Sequence, residues 1–143
     1  MNKNFKIICL NPIENPDLFW PNIGPLITDR GIIKELGNNI YHEPNKIWFL
    51  GFLNNDIIGF CALSATLKTA TLKHDFILPD YRGKGFYSVL YDYRLNYLKT
   101  DYPDLCIKTT IIKKESIYLA IKNGLELIHT RGKYSIYGGN INT

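Results

Sequence analysis

Arg82-Gly83-Lys84-Gly85 places two cations beside two glycines, inside the stretch Ile77-Leu78-Pro79-Asp80-Tyr81-Arg82-Gly83-Lys84-Gly85-Phe86-Tyr87. That stretch joins the end of an apolar run to the start of an amphipathic one. A short turn of this kind leaves backbone N–H groups unpaired at the positive end of a helix. The chemistry it suits is the binding of phosphate or pyrophosphate. Gly83 and Gly85 let the backbone come close to an anion. Arg82 and Lys84 add full positive charge. The spacing is not Gly-x-x-x-x-Gly-Lys-Ser/Thr, and it is not Gly-x-Gly-x-x-Gly, because Ser88 stands where the third glycine would be. A Gly-Lys-Gly turn also precedes helices that bind nothing, so the elements around it must carry part of the argument.

Ile77-x-Pro79-x-x-Arg82-Gly83-Lys84-Gly85 resembles the acetyl-CoA pyrophosphate loop of the GNAT superfamily, the Gcn5-related N-acetyltransferases. Arg82 and Gly85 match that pattern, and Tyr87 stands where the family usually has Gly or Ala. The resemblance implies that Arg82, Gly83, Lys84, Gly85, Phe86 and Tyr87 surround the pyrophosphate of acetyl-CoA, the co-substrate. It also implies that backbone groups of Phe76, Ile77 and Leu78 pair with the pantetheine arm, one of them polarising the thioester carbonyl. A later family pattern, anchored on Gly124 and Leu125, aligns Lys113, Ser116, Leu119 and Ala120. Ala120 then occupies the place of a tyrosine that often protonates the leaving thiolate. Tyr118, two positions earlier and about 200° round a helix, is the nearby candidate for that catalytic acid, though it reads more readily as a surface or core tyrosine.

A base must take the proton of the attacking amine, directly or through water. The family often carries it on the strand before the loop, where Asp75 and His74 are the titratable candidates. His74 also reads as an ordinary core or edge histidine, and Asp75 as a polar residue near a strand end. Glu43 and Asp29 are weaker candidates. Strand alternation would put Thr71, Lys73, Asp75 and Ile77 on one face and Leu72, His74, Phe76 and Leu78 on the other. His42 and His129 lack partners at metal-ligand spacing, so no metal site is expected. Trp20, Trp48, Tyr41 and Tyr134 are available to shape an acceptor pocket, though aromatics at such spacing are more often core.

The elements that must position these residues follow from periodicity and turn residues. Residues 5–10 read as a strand. Pro12, Pro16, Pro21 and Pro25 then argue against a long helix, leaving short ones from Asp17 and near Asp29, the second stopped by Gly37. Runs 46–53, 57–64 and 69–78 form a meander, with a hairpin turn at Asn54-Asn55-Asp56. A helix over 85–99 would bury Phe86, Val89, Leu90, Tyr93 and Tyr97. A strand over 105–112, a helix over 114–123 and strands over 125–129 and 133–137 complete the order. That order implies an α+β fold, a mixed and mostly antiparallel central sheet with helices on both faces, and it matches the GNAT topology.

The 143 residues, 45% of them hydrophobic, suit one domain over 1–143 with a core of its own. No run approaches 18 apolar residues, and no leader is apparent, so a cytoplasmic protein without membrane contact is expected. Cys9, Cys61 and Cys106 sit in apolar runs at no metal or redox spacing and read as reduced core thiols. The net charge of +4 suits an anionic ligand. The expected activity is therefore an N-acetyltransferase acting on the primary amine of a small molecule or peptide, as a monomer or homodimer. A catalytically silent binding or regulatory protein of the same fold remains an alternative. A nucleic-acid-directed relative is less favoured, because no basic stripe is visible.

Overall fold

The computed structural model describes residues 4–37, 40, 43, 45–111 and 113–140. Tyr41, His42 and the expected strand end at Ile112 lie outside the described residues. Strands β1 (Phe5–Leu10), β2 (Lys46–Leu53), β3 (Asp56–Ala65), β4 (Thr69–Ile77), β5 (Cys106–Ile111), β6 (Glu126–Arg131) and β7 (Tyr134–Gly139) form one sheet. Its order is β1-β2-β3-β4-β5-β7-β6. All neighbours are antiparallel except β4 and β5. Asn54 and Asn55 make the β2–β3 turn at φ 51° and 74°, a conformation asparagine tolerates.

Helices cover both faces, as the element order implied. On one face, α1 (Pro16–Ile27) packs Phe19, Ile23 and Ile27 against Trp48, Leu50, Phe60 and Phe76, and α2 (Arg30–Leu36) adds the half-buried Ile32 and Leu36. On the other, α3 (Phe86–Asp101) and α4 (Lys114–Lys122) pack Leu90, Leu95, Leu98 and Leu119 against Phe49, Leu63, Leu72 and Ile77. The Asp29 carboxylate starts α2 by accepting the Ile32 N–H at 3.0 Å. Gly37, at φ 87°, ends it.

Four expectations need correction. The prolines do not prevent a long helix: α1 runs 12 residues with Pro21 and Pro25 inside it. Pro16 sits in its first turn, where a missing N–H costs nothing. Pro21 and Pro25 are exposed, opposite the buried Phe19-Ile23-Ile27 stripe, so the carbonyls they strand face water. The buried stripe of α3 is Phe86, Leu90, Tyr91, Arg94, Leu95 and Leu98, whereas Tyr93 is exposed and Val89 and Tyr97 are half-buried. The helix is turned so that Arg94, wholly buried, reaches the sheet. Of the thiols, Cys61 is buried and Cys9 half-buried, but Cys106 is exposed, on the outward side of β5.

The fourth correction concerns β4. Its alternation breaks at a bulge where His74 and Asp75 together oppose Cys61 of β3. His74 takes φ 61°, a left-handed conformation uncommon in a non-glycine residue. Before the bulge, Ala70 and Leu72 face α3 and α4; after it, Ile77 does, while Phe76 faces α1. His74 stacks on Trp48, on the α1 side. Asp75 turns to Arg94 of α3. The two base candidates keep the opposite faces that alternation gave them, but the bulge sets Lys73 with His74 and Leu72 with Asp75, against the expected grouping.

Candidate functional site

The parallel pairing of β4 with β5 runs from Thr69–Cys106 to Leu72–Thr109 and stops. Beyond it, β4 is paired only with β3 and β5 only with β7. A cleft opens between the two strands. The Leu78 N–H donates to Ile58 O of β3 at 2.8 Å. Strand alternation therefore turns the N–H and C=O of Ile77 the other way, into the cleft. There the Ile77 carbonyl accepts from Arg82 Nε at 2.8 Å.

A short turn over Pro79–Tyr81 leads from β4 into the loop. Gly83 and Gly85 take φ 74° and 89°. Gly85 caps α3 with no side-chain partner, so the first N–H groups of the helix are left open. A Cβ built on Gly83 would have no atom within 4 Å. Beside this loop lies a cavity of about 390 Å³, lined by Phe76, Ile77, Arg82, Gly83, Gly85, Tyr87 and α4 residues including Ser116 and Tyr118. Open amides, a glycine loop and the inward-turned Ile77 N–H in one cleft fit a phosphate-bearing, extended ligand. Lys84 is exposed outside this cavity, Leu78 is half-buried, and Phe86 is buried against Phe5 and Tyr81. Tyr118 lies at the rim, 64% exposed.

Tyr87 does not crowd the loop. Its ring turns inward against Tyr91, and its hydroxyl donates to Asp75 Oδ2 at 2.5 Å and meets Ser116 Oγ at 2.8 Å. Burial first, and the Asp75 charge second, hold the Tyr87 phenol well above its usual range. It therefore stays protonated and donates. Asp75 is also the counter-ion of Arg94, whose Nη atoms stand 2.6 and 3.1 Å from its two oxygens. Arg94 Nη1 donates to Ala62 O at 3.0 Å as well, across the bulge. Burial opposes the Arg94 charge, but Asp75 outweighs it and raises the guanidinium further. Asp75 thus pins the bulge, with the bonds that hold it already made.

A second cavity, of about 610 Å³, opens toward α2 and is lined by Glu35, Glu43, Lys46, Lys73, His74, Lys113 and Tyr134 among others. It shares Asp75, Lys113 and Ser116 with the first, so the two meet through the cleft. His74 Nε2 is 2.9 Å from Lys46 Nζ. Burial, with the Lys46 and Lys73 charges behind it, pushes His74 down to about 3. The imidazole is neutral and a poor proton acceptor at neutral pH. Glu35 bridges Arg82 at 2.8 Å and Lys113 at 3.0 Å. Burial alone would raise its carboxyl, but those two partners hold it below the usual carboxylate range.

His74, Asp75 and Glu43 thus line the larger cavity, and Asp75 with Phe76, Ile77, Arg82, Gly83, Gly85 and Tyr87 lines the smaller, whereas Leu78, Lys84 and Phe86 line neither and Asp29 serves as the α2 cap. Trp48 is core beneath His74, Tyr134 lines the second cavity, and Trp20 is 44% exposed on α1. Sequence reasoning missed Arg94, Lys46 and Glu35. For Arg94 a signal existed: it lies on the i, i+4 line with Phe86 and Leu90. For Glu35 none existed, since its partners are 47 and 78 positions away. Among the described residues no His, Cys, Asp and Glu group suits a metal ion.

The model of the Acetyltransferase (GNAT) family matches residues 15–109. No curated protein sequence matches the chain. Solved structures share its fold. The ribosomal-protein-S18-alanine N-acetyltransferase of Escherichia coli aligns over 97% of this chain and 95% of its own, at TM-score 0.69 and 14% identity. An acyl-CoA N-acyltransferase of Pseudomonas aeruginosa aligns over 94% and 97%, at TM-score 0.71 and 9% identity. The paiA N-acetyltransferase of Thermoplasma acidophilum, solved with coenzyme A, aligns over 98% and 99%, at TM-score 0.63 and 16% identity.

Proposed function

The chain belongs to the GNAT acetyltransferase family, and on that premise we propose that it moves an acetyl group from acetyl-CoA to a primary amine by direct attack on the thioester. The observation that carries this reading is the cleft itself. Strand β4 parts from β5 after Leu72, and the Ile77 N–H, turned into the gap, leads to the open amides of the Gly83–Gly85 loop, with Arg82 bonded to the Ile77 carbonyl between them.

In this reading the loop amides and Arg82 hold the pyrophosphate, and the backbone of Ile77 pairs with the pantetheine arm. Acetyl-CoA supplies an acyl carbon activated by a thiol leaving group. The acceptor nitrogen bonds to that carbon as the C–S bond breaks. The Ile77 N–H, turned into the cleft, donates to the thioester oxygen. The amine proton passes to cavity water, because His74 is a poor acceptor and Asp75 is engaged by Arg94 and Tyr87. The thiolate, near 8.5 in proton affinity as an ordinary thiol, needs no strong acid. Tyr118 stands at the rim of the same cavity as the nearest freely exposed phenol on α4.

The test is thiol release from acetyl-CoA in the presence of a panel of primary amines. Amine-dependent release, abolished by Gly85→Val, supports acetyl transfer. Saturable acetyl-CoA binding with no release for any amine would leave the silent binding protein as the better reading.

A further inference from the structure

Asp75, Tyr87 and Ser116 form a hydrogen-bonded chain whose direction is fixed from one end. Asp75 is the counter-ion of the buried Arg94, and a carboxylate only accepts. The Tyr87 hydroxyl, 2.5 Å from Asp75 Oδ2, therefore gives it the one proton a phenol has. The 2.8 Å contact between Tyr87 and Ser116 then takes its proton from Ser116. Ser116 Oγ is left with lone pairs only. It can accept, and it has nothing more to donate.

The fold puts those lone pairs at a particular place. Ser116 lies in the first turn of α4, on the buried line with Leu119 and Ala120, and is itself only 8% exposed. Among the described residues, the larger and the smaller cavity have three in common: Asp75, Lys113 and Ser116. Both Asp75 oxygens are taken by Arg94 and Tyr87. Lys113 is a cation bonded to Glu35. Of the three, Ser116 is thus the side chain with acceptor capacity still open where the cavities meet.

We propose that Ser116 Oγ accepts a hydrogen bond from the attacking nitrogen at this junction, and that Tyr87 and Asp75 act through it as positioning residues. The proposal rests on the acetyl-transfer reading, in which the thioester lies beside Ile77 in the smaller cavity and the amine enters by the larger. A free primary amine has two N–H groups. One is donated to Ser116 and stays in the product amide. The other is lost as a proton to cavity water as the C–N bond forms; the C–S bond breaks and its electron pair leaves with the thiolate. The nitrogen lone pair is thereby aimed at the acyl carbon. An N-methyl amine has a single N–H, which cannot be both held and lost. The chain from Asp75 to Ser116 therefore selects primary over secondary amines.

The experiment reads thiol release from acetyl-CoA with three matched pairs. These are glycinamide and sarcosinamide, butylamine and N-methylbutylamine, and 2-phenylethylamine and its N-methyl derivative. The quantity compared is kcat/KM for the primary amine over that for its N-methyl partner. This ratio is internal to each protein, so a loss of folded fraction cancels. The expected ratio is roughly five- to tenfold, the worth of one hydrogen bond. Ser116→Ala brings it toward unity by slowing the primary amine. Tyr87→Phe leaves the volume of Ser116 unchanged but frees its proton to turn into the junction. The ratio falls there too, which a purely steric role of Ser116 would not produce. A wild-type ratio near unity overturns the proposal, as does a ratio that survives either substitution; release still occurs in those cases, and the acetyl-transfer reading stands. No release with any primary amine removes that reading, and this proposal with it.

Discussion

Arg82 of the glycine loop and Glu35 of α2 meet at 2.8 Å across the mouth of the cleft. Both oxygens of Glu35 accept from the same Arg82 nitrogen, and Lys113 at the start of α4 completes the bridge. The cation that the proposed reading gives to a pyrophosphate is therefore already bonded to a carboxylate of α2. On that reading a ligand phosphate would compete with Glu35 for it.

Replacing Glu35 with Gln should accordingly tighten acetyl-CoA binding. The pair is partly exposed, so the gain is roughly two- to fivefold. Glu35→Asp, which keeps the charge but loses the reach, should give a gain of the same sign. On an Arg82→Ala background the gain should vanish, a coupling that titration calorimetry on the four proteins of a double-mutant cycle measures. Weaker binding by Glu35→Gln would mean that Glu35 orients Arg82 for the ligand.

Asp75 is the partner of a guanidinium with no exposed surface. Asp75→Asn should cost about 3–5 kcal/mol of stability by stranding Arg94. Arg94→Met with Asp75→Asn should cost less than the two single changes summed. Chemical denaturation of the three variants checks this, and additive losses would refute the pairing.

Tyr87 points away from the loop, so its loss should be felt first in the fold. Tyr87→Phe leaves Asp75 and Ser116 without its hydroxyl and should cost about 1–3 kcal/mol. Tyr87→Ala, which also empties the space beside Tyr91, should cost about 3–5 kcal/mol. Denaturation midpoints read alongside acetyl-CoA affinity separate the two roles. A Tyr87→Phe protein of normal stability that no longer binds acetyl-CoA would contradict the inward orientation.

His74 gives stability a pH dependence. Folded, it takes its proton only near 3; free, near 6.5. Between those values the unfolded chain holds more protons, so its contribution is whole above 6.5 and declines as the pH falls toward 3. His74→Asn removes the titrating ring, and asparagine accepts the left-handed backbone there. Between pH 7 and 5 the variant should lose less stability than the parent. An unchanged slope would show that His74 titrates normally in the folded protein.

What could be read from sequence was local. The glycine loop was legible because Gly83 and Gly85 punctuate a strand-to-helix junction, and the order of elements was legible because each carries its own period. What failed depended on distant partners. Tyr87 reads as an obstruction until Ser116, 29 positions on, and Asp75 are seen to draw it inward. Arg94 carried a local signal, its place on the line of Phe86 and Leu90, but nothing nearby showed the Asp75 partner 19 positions away. The α1 prolines read as breakers because propensity does not see the face that Phe19, Ile23 and Ile27 bury. The bulge at His74 leaves no mark in the residue pattern, yet it decides that Lys73 and His74 share one side of the sheet while Asp75 turns to Arg94.

A working coenzyme A site in the cleft beside Arg82 and Gly83 would stabilise the fold when its ligand binds. The measurement that tests it most directly is a thermal-shift titration with acetyl-CoA, with free CoA and ATP as controls. The account predicts saturable stabilisation by both CoA compounds and none of comparable affinity by ATP. No shift at millimolar acetyl-CoA, or an equal shift with ATP, would contradict it.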